Sequence, residues 1–116
     1  MYSVTEAFVS HLLALGYDAY ANVPADPPTE FVTVERTGGS VTDLVDHPSL
    51  AIQCWAETDE AAERLANVVR AQIVTGARPP GVTRVDVNSG PYRFYDEYTR
   101  CPRYQMALDA TCQLTD

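Results

Sequence analysis

Lysine is absent from this chain of 116 residues, and its eight arginines face sixteen aspartates and glutamates. The resulting net charge of −8 argues against free nucleic-acid binding, because such binding needs clustered cations that displace counterions from the phosphates. The same charge favours solubility. We therefore expect a surface that repels DNA rather than one that holds it.

Cysteines, long apolar runs and a basic N-terminal leader are also scarce or missing. The three cysteines, Cys54, Cys101 and Cys112, lack C-x-x-C spacing, which favours reduced thiols in a protein made in the cytosol. No apolar run approaches the roughly 18 residues that a membrane span needs. No basic region precedes an apolar block, so a signal peptide is not expected. With 46% apolar residues, the chain is expected to fold as one domain over residues 1–116.

Sequence motifs for catalysis are hard to find. The Gly38-Gly39 pair is followed neither by Lys-Ser/Thr nor by a helix start, which argues against a phosphate-binding loop. Neither of the two histidines has a local partner suited to a Ser-His-Asp set. Asp43, Asp46 and His47 are close in sequence, but metal sites usually need three or four convergent ligands. We therefore expect no enzyme activity, no cofactor and no metal.

Two amphipathic helices are predicted. The first spans residues 4–15 and begins at a Ser3/Glu6 capping box, in which each side chain satisfies a free backbone donor. The second begins after a Thr58 or Asp59 cap. The buried stripes are expected to be Val4, Phe8, Leu12 and Leu15 in the first helix, and Ala62, Leu65, Val69 and Ile73 in the second, where Ala61 and Val68 widen the stripe.

Alternation of apolar and polar residues predicts the strands. The first clear strand covers residues 31–39 and ends in a turn at Arg36-Thr37-Gly38-Gly39, which is expected to open a surface loop over residues 40–48. Further strands are predicted over residues 17–23, 50–55, 82–88 and 104–114. The predicted fold class is α+β, a mostly antiparallel sheet of about four or five strands with two helices packed on one face.

Aromatic residues outside the apolar rows leave two questions open. Trp55 points away from the main apolar row, so it either covers a helix or is an exposed anchor for a partner. The stretch that begins at Tyr92 is dense in aromatic and charged residues and is expected to be an irregular excursion between strands. Its Tyr92, Arg93 and Tyr95 suit either a contact surface or local packing under a loop.

The order of these features resembles one protein family. A strand ends in Arg36-Thr37-Gly38-Gly39, and a loop follows. The strand at residues 48–57 then reads Pro-Ser-Leu-Ala-Ile-Gln-Cys-Trp-Ala-Glu and leads into a helix with Glu-Ala-Ala and Leu-Ala. This order is similar to that of the tail terminator proteins of long-tailed (siphovirus-type) bacteriophages, above all those that infect actinobacteria. The similarity runs from the first helix through the terminal alternating strand.

The resemblance implies a structural virion protein. Tail terminators form a hexameric ring on the head-proximal end of a finished tail tube, stop tube polymerisation and form the joint to the head. The implied partners are further copies of the chain, the major tail tube protein and a head-closure or connector protein. No cofactor, reaction or membrane is implied. The implied location is the virion neck, and the host cytoplasm during assembly.

The acidic composition is compatible with such a ring. Six copies of net charge −8 carry −48 formal charges, so genomic DNA is expected to pass through the lumen without specific binding. Candidate residues for the subunit or tube interface are Arg36, Thr37, Gly38, Gly39, Asp43, Trp55, Tyr92, Arg93 and Tyr95. Two other assignments stay open: another neck protein, such as a head-closure or head–tail connector component, and a small acidic binding module.

Overall fold

The computed structural model describes residues 2–94 and 101–114. The elements in these residues are α1 Val4–Ala14, β1 Ala19–Tyr20, β2 Phe31–Thr42, β3 Val45–Trp55, α2 Asp59–Thr75, β4 Val82–Arg93 and β5 Arg103–Gln113. The strands form one sheet in the order β1-β2-β3-β5-β4. Every pairing is antiparallel except the short contact between β1 and β2. The predicted α+β class is confirmed.

One apolar core lies between the sheet and the two helices. The helices contribute Phe8, Leu12, Ala66, Val69 and Ile73, and the strands contribute Val32, Val34, Leu50, Ile52, Cys54, Met106, Leu108 and Cys112. These strand residues alternate along the chain and share one side of the sheet, which we call the helix side. The other side is called the open side. Cys54 is buried as expected, and burial raises the pKa of its thiol to about 12.

Helix α1 begins and ends with hydrogen bonds that satisfy its free backbone groups. The Ser3 hydroxyl accepts from the backbone N–H of Glu6 at 3.3 Å, which is one half of the predicted capping box. At the other end, the N–H of Tyr17 donates to the Leu12 carbonyl at 3.0 Å. The prediction that Leu15 is buried is wrong, because the helix ends one residue earlier and the side chain is 42% exposed.

Helix α2 begins where the sequence predicts. Thr58 Oγ1 accepts from the backbone N–H of Ala61 at 3.1 Å and so caps the first turn. The buried residues of the helix are Ala62, Ala66, Val69 and Ile73, while Leu65 is only half-buried. The prediction that Val68 widens the buried stripe is wrong, because its side chain faces outward and is 50% exposed. Neither helix in the described part of the chain is long and apolar enough to cross a membrane.

The β2–β3 hairpin departs most from the predicted organisation. Residues 40–48 do not form a loop, since β2 continues three residues past the glycine pair and only two residues separate it from β3. The glycines instead belong to a bulge, where the register shifts between Arg36 and Gly38 and Gly39 has φ +103°. A Cβ at Gly39 would collide with the carbonyl oxygen of His47. The close approach of β3 and the positive φ therefore explain why residue 39 is a glycine, although the chain does not turn there.

The two outer strands also differ from their predicted bounds. The strand expected over residues 17–23 is reduced to the two residues of β1. The strand expected over residues 82–88 continues as far as Arg93 and passes through a cis peptide bond between Gly90 and Pro91. Proline is tolerated there because β4 is an edge strand, where a missing N–H need not interrupt a ladder.

Candidate interaction surface

Arg36 holds the bulge of the hairpin through an ion pair with Asp46. Its Nη1 and Nη2 bind the two carboxylate oxygens at 2.6 and 2.7 Å, and its Nε donates to the Gly38 carbonyl at 3.1 Å. Asp46 is buried, and its hydrogen bond to the guanidinium raises the pKa of Arg36 above its usual value. Arg36 is therefore engaged within the hairpin rather than offered as a free cation.

The other residues of the Arg-Thr-Gly-Gly segment support the same bulge. The Thr37 hydroxyl donates to the Ser49 carbonyl on β3 at 3.3 Å. A Cβ placed on Gly38 would meet no atom within 4 Å, whereas Gly39 lies against the backbone of His47. The segment thus fixes the shape of the hairpin, and its predicted role as a turn is replaced by a role as a strand bulge.

The hairpin end, residues 35–44, is exposed along its whole length. Strand β1 covers the outer edge of β2 only near its start. Two apolar side chains stand out, Val41 at 53% and Leu44 at 62% exposed. Asp43 occupies the two-residue turn with φ +55°, and the Leu44 carbonyl accepts from the N–H of Leu114 at 2.9 Å. The hairpin end therefore combines an apolar tip, an acidic residue and a firmly held backbone.

Asp43, Asp46 and His47 do not converge on a common point. Both carboxylate oxygens of Asp46 are bound by Arg36 on the helix side of the sheet. Residues 46 and 47 are neighbours in β3, so the side chain of His47 points to the open side. Among residues 2–94 and 101–114, no group of three His, Cys, Asp or Glu side chains could hold a metal ion.

A second exposed apolar area lies on the outer side of α2, and we call it the α2 surface. Val68 and Val74 are 50% and 54% exposed. A groove of about 430 Å³ is lined by Asn67, Val68, Ala71, Gln72 and Thr75. These positions share one face of the helix because they are three or four residues apart.

The α2 surface differs in charge from the rest of the chain. Residues 64–78 contain Arg64, Arg70 and Arg78 and no acidic residue, a local net charge of +3 in a chain of net charge −8. No salt bridge within the described residues involves these three arginines. Sequence reasoning missed this surface, although a local count of charges along the chain would have found it.

Trp55 is covered on the open side of the sheet. Its ring stacks on Phe31 at a centroid distance of 5.4 Å, and its indole N–H donates to the Thr33 hydroxyl at 3.1 Å. The Arg103 guanidinium lies 4.5 Å from the Trp55 ring centroid and 4.2 Å from that of Phe94. Trp55 is 4% exposed, so both predicted roles, a cover for a helix and an exposed anchor, are wrong.

A polar row of side-chain hydrogen bonds crosses the four long strands on the open side. The row joins Thr33 to Gln53 at 3.0 Å, Gln53 to Gln105 at 2.8 Å, and Gln105 to Tyr92 at 2.8 Å. Each residue comes from a different strand, β2, β3, β5 and β4 in that order. Such cross-strand pairs stabilise one register of the sheet.

Asp109 forms a second cross-strand link on the open side. Its Oδ1 accepts from the Ser49 hydroxyl at 2.8 Å, and its Oδ2 accepts from the Asn88 amide at 2.5 Å. These hydrogen bonds, the one from Asn88 first, lower the pKa of Asp109 below its usual value. Three strands are thereby tied through one carboxylate.

Tyr92 and Arg93 make contacts within their own chain. The Tyr92 hydroxyl accepts from Gln105, and Arg93 Nε lies 3.1 Å from Oδ1 of Asp59 at the start of α2. Both are strand residues, so the expectation of an irregular excursion is wrong at these two positions. Tyr95 lies outside the described residues.

The structure divides the predicted interface residues into two groups. The Arg-Thr-Gly-Gly segment and Asp43 lie together on the hairpin end. Trp55, Tyr92 and Arg93 lie at the opposite end of the sheet, where the register pairs Arg93 with Tyr104 and Trp55 with Arg103. Neither the comparison with protein families nor the comparison with curated proteins gave a match for this chain.

Proposed function

We propose that this chain is a structural virion protein that caps the head-proximal end of a phage tail tube as a ring, stops tube polymerisation and forms the joint to the head. The hairpin end is the observation that carries the proposal. Its Arg-Thr-Gly-Gly segment is part of the resemblance to tail terminators, and this segment supports an exposed strand. The apolar residues near its turn, Val41 and Leu44, are more than half exposed.

A ring built from one kind of subunit needs two unlike surfaces on each copy. In a head-to-tail interface, one surface of a subunit meets a different surface of the next, and the chain of contacts closes if the rotation allows it. The hairpin end and the α2 surface are unlike in charge and belong to different elements. They therefore suit contacts of the head-to-tail kind.

The hairpin end is also well held before any partner binds. The bidentate ion pair of Arg36 and Asp46 and the backbone bond between Leu44 and Leu114 fix its two strands and its turn. A surface that is ordered in advance loses less conformational entropy on association. This favours a role in assembly.

The proposed partners are other copies of the chain, the major tail tube protein and a head-closure or connector protein of the neck. The proposed location is the neck of the virion. Genomic DNA is proposed to cross the lumen of the ring without specific binding, because a net charge of −8 per copy repels phosphates.

The test is to remove the gene and measure tail length by negative-stain electron microscopy. We expect tubes longer than those of the parent phage and no attached heads, both restored when the protein is supplied in trans. Tails of normal length with heads that fail to close would instead indicate another neck protein, such as a head-closure or connector component. Normal infectious virions would overturn the proposal and favour a small acidic binding module.

A further inference from the structure

We infer that the hairpin end of one copy docks on the α2 surface of a second copy. The inference deepens the proposed function and rests on it in one respect, namely that the partner is another copy of this chain.

The hairpin end supplies two exposed apolar side chains, Val41 and Leu44. Leu44 lies in the turn beside the exposed Asp43, and Val41 lies two residues before Asp43 in β2. Asp43 forms no ion pair within the described residues. The tip therefore offers two apolar side chains and one negative charge to a partner.

The α2 surface supplies a matching receptor. Its groove of about 430 Å³ is lined by Val68, and the exposed Val74 follows one turn after Ala71 of the groove lining. Arg64 precedes Val68 by one helical turn, and Arg70 precedes Val74 by one turn, so each exposed valine has a cation beside it. An apolar tip with one carboxylate fits a groove that Val68 and Ala71 line on the helix face of Arg64.

Charge selects this pairing over other contacts between two copies. Two chains of net charge −8 repel each other at long range, and the repulsion is smallest where one of them presents local positive charge. Residues 64–78 carry +3 and no acid. An acidic tip is therefore steered toward this part of a neighbouring copy.

The single chain does not make this contact with itself. Val41 and Leu44 on the hairpin end, and Val68 and Val74 on α2, each stay at least half exposed in the single chain. Two different surfaces are thus left uncovered on every copy. Tip-to-helix docking then links the copies head to tail, and such contacts close into a ring when the rotation between neighbours allows it.

Site-directed cross-linking tests the contact directly. In a Cys101→Ser background, which removes the exposed native thiol, Leu44→Cys is made on one preparation and Val68→Cys on another. The two preparations are mixed, alone or with purified tail tubes, and treated with a short bifunctional maleimide. Leu13→Cys serves as the matched control, because Leu13 is an equally exposed apolar residue on α1.

The expected result is a cross-linked dimer in the mixture of the hairpin and helix variants and a much lower yield in each preparation alone. No comparable product is expected when the Leu13 variant replaces the helix variant. The inference would be overturned if cross-links formed only between two copies of the hairpin variant or two copies of the helix variant. It would also be overturned if the protein formed oligomers and the mixture gave no cross-link.

Two substitutions that each remove one charge distinguish an error in the docking inference from an error in the proposed function. Asp43→Asn and Arg64→Gln should each weaken self-association about twofold to fivefold, which is the effect of one exposed ion pair, and added salt should reduce the difference. If neither change alters association while gene removal still gives overlong tails, the docking inference is wrong and the proposed function stands. If gene removal leaves tail length unchanged, the proposed function is wrong whatever the cross-links show.

Discussion

The guanidinium of Arg36 and the carboxylate of Asp46 form two parallel hydrogen bonds, of 2.6 and 2.7 Å, between β2 and β3. Asp46 is almost fully buried, whereas the Arg36 side chain is 34% exposed. The two partners are therefore unequal. Without Arg36, the buried carboxylate of Asp46 has no partner for its negative charge. Without Asp46, the guanidinium of Arg36 can still reach water.

Arg36→Ala is expected to lower the free energy of unfolding by about 3 kcal/mol, and Asp46→Ala by less. Chemical denaturation followed by circular dichroism measures both changes. Arg84→Ala is the matched control, because its ion pair with Asp86 is exposed and should contribute no more than about 0.5 kcal/mol. Equal effects of the Arg36 and Arg84 variants would contradict this account.

Gly39→Ala is expected to destabilise the protein by at least about 2 kcal/mol. The cause is twofold: φ of +103° is unfavourable for alanine, and a Cβ would collide with the backbone of β3. Gly38→Ala provides the control, because a Cβ there meets open space. A similar loss of stability for both variants, measured by thermal unfolding, would show that the bulge is described wrongly.

Arg103→Ala is expected to expose the single tryptophan, because the guanidinium covers the ring of Trp55. The fluorescence emission should shift to longer wavelength, acrylamide should quench it more strongly, and about 1–2 kcal/mol of stability should be lost. Arg93→Ala, which removes an arginine from the same end of the sheet, should leave the emission unchanged. Identical spectra for the wild type and the Arg103 variant would refute the proposed cover.

One of the three thiols is expected to react rapidly with a maleimide at pH 8. Cys101 is exposed, whereas burial raises the pKa of Cys54 to about 12 and also raises the pKa of Cys112. Mass spectrometry of the folded protein should show a single modification, and Cys101→Ser should abolish it. Rapid labelling of Cys54 without unfolding is the outcome that this structure does not permit.

Asp109 should make part of the stability depend on acidic pH. Its pKa is lowered in the folded state, so its contribution is present above the unfolded value of 3.8 and is lost as the pH falls through the lower folded value. The wild type should therefore exceed Asp109→Ala in stability at pH 7, and the gap should narrow below about pH 4. A gap that stays constant down to pH 2 would mean that the two hydrogen bonds do not favour the carboxylate.

The helices and the core rows could be predicted from the sequence because they depend on local spacing. The caps at Ser3 and Thr58 and the alternation around Cys54 need only a few neighbouring residues. Leu15 shows the limit of this reasoning, since periodicity alone does not mark the last residue of a helix.

The candidate site could be predicted only in part, because its decisive contacts join distant residues. A glycine pair is equally suited to a turn and to a bulge, and the choice here depends on the backbone of β3 and on the pairing of Arg36 with Asp46. The cover of Trp55 by Arg103 likewise depends on the neighbouring strand β5. Sequence patterns do not contain such pairings.

The hydrogen bonds of the polar row on the open side all run in the same direction, from donor to acceptor. The Trp55 indole donates to Thr33, Thr33 donates to Gln53, Gln53 to Gln105, and Gln105 to Tyr92. Thr33, Gln53 and Gln105 each accept one of these bonds and donate the next, so the bonds polarise one another in one sense across the sheet. Within the described residues the Tyr92 hydroxyl donates to no further group, and it lies on the edge strand. An acceptor placed there by a bound molecule would strengthen every bond back to Trp55, so the indole can report on an event at the far edge of the sheet.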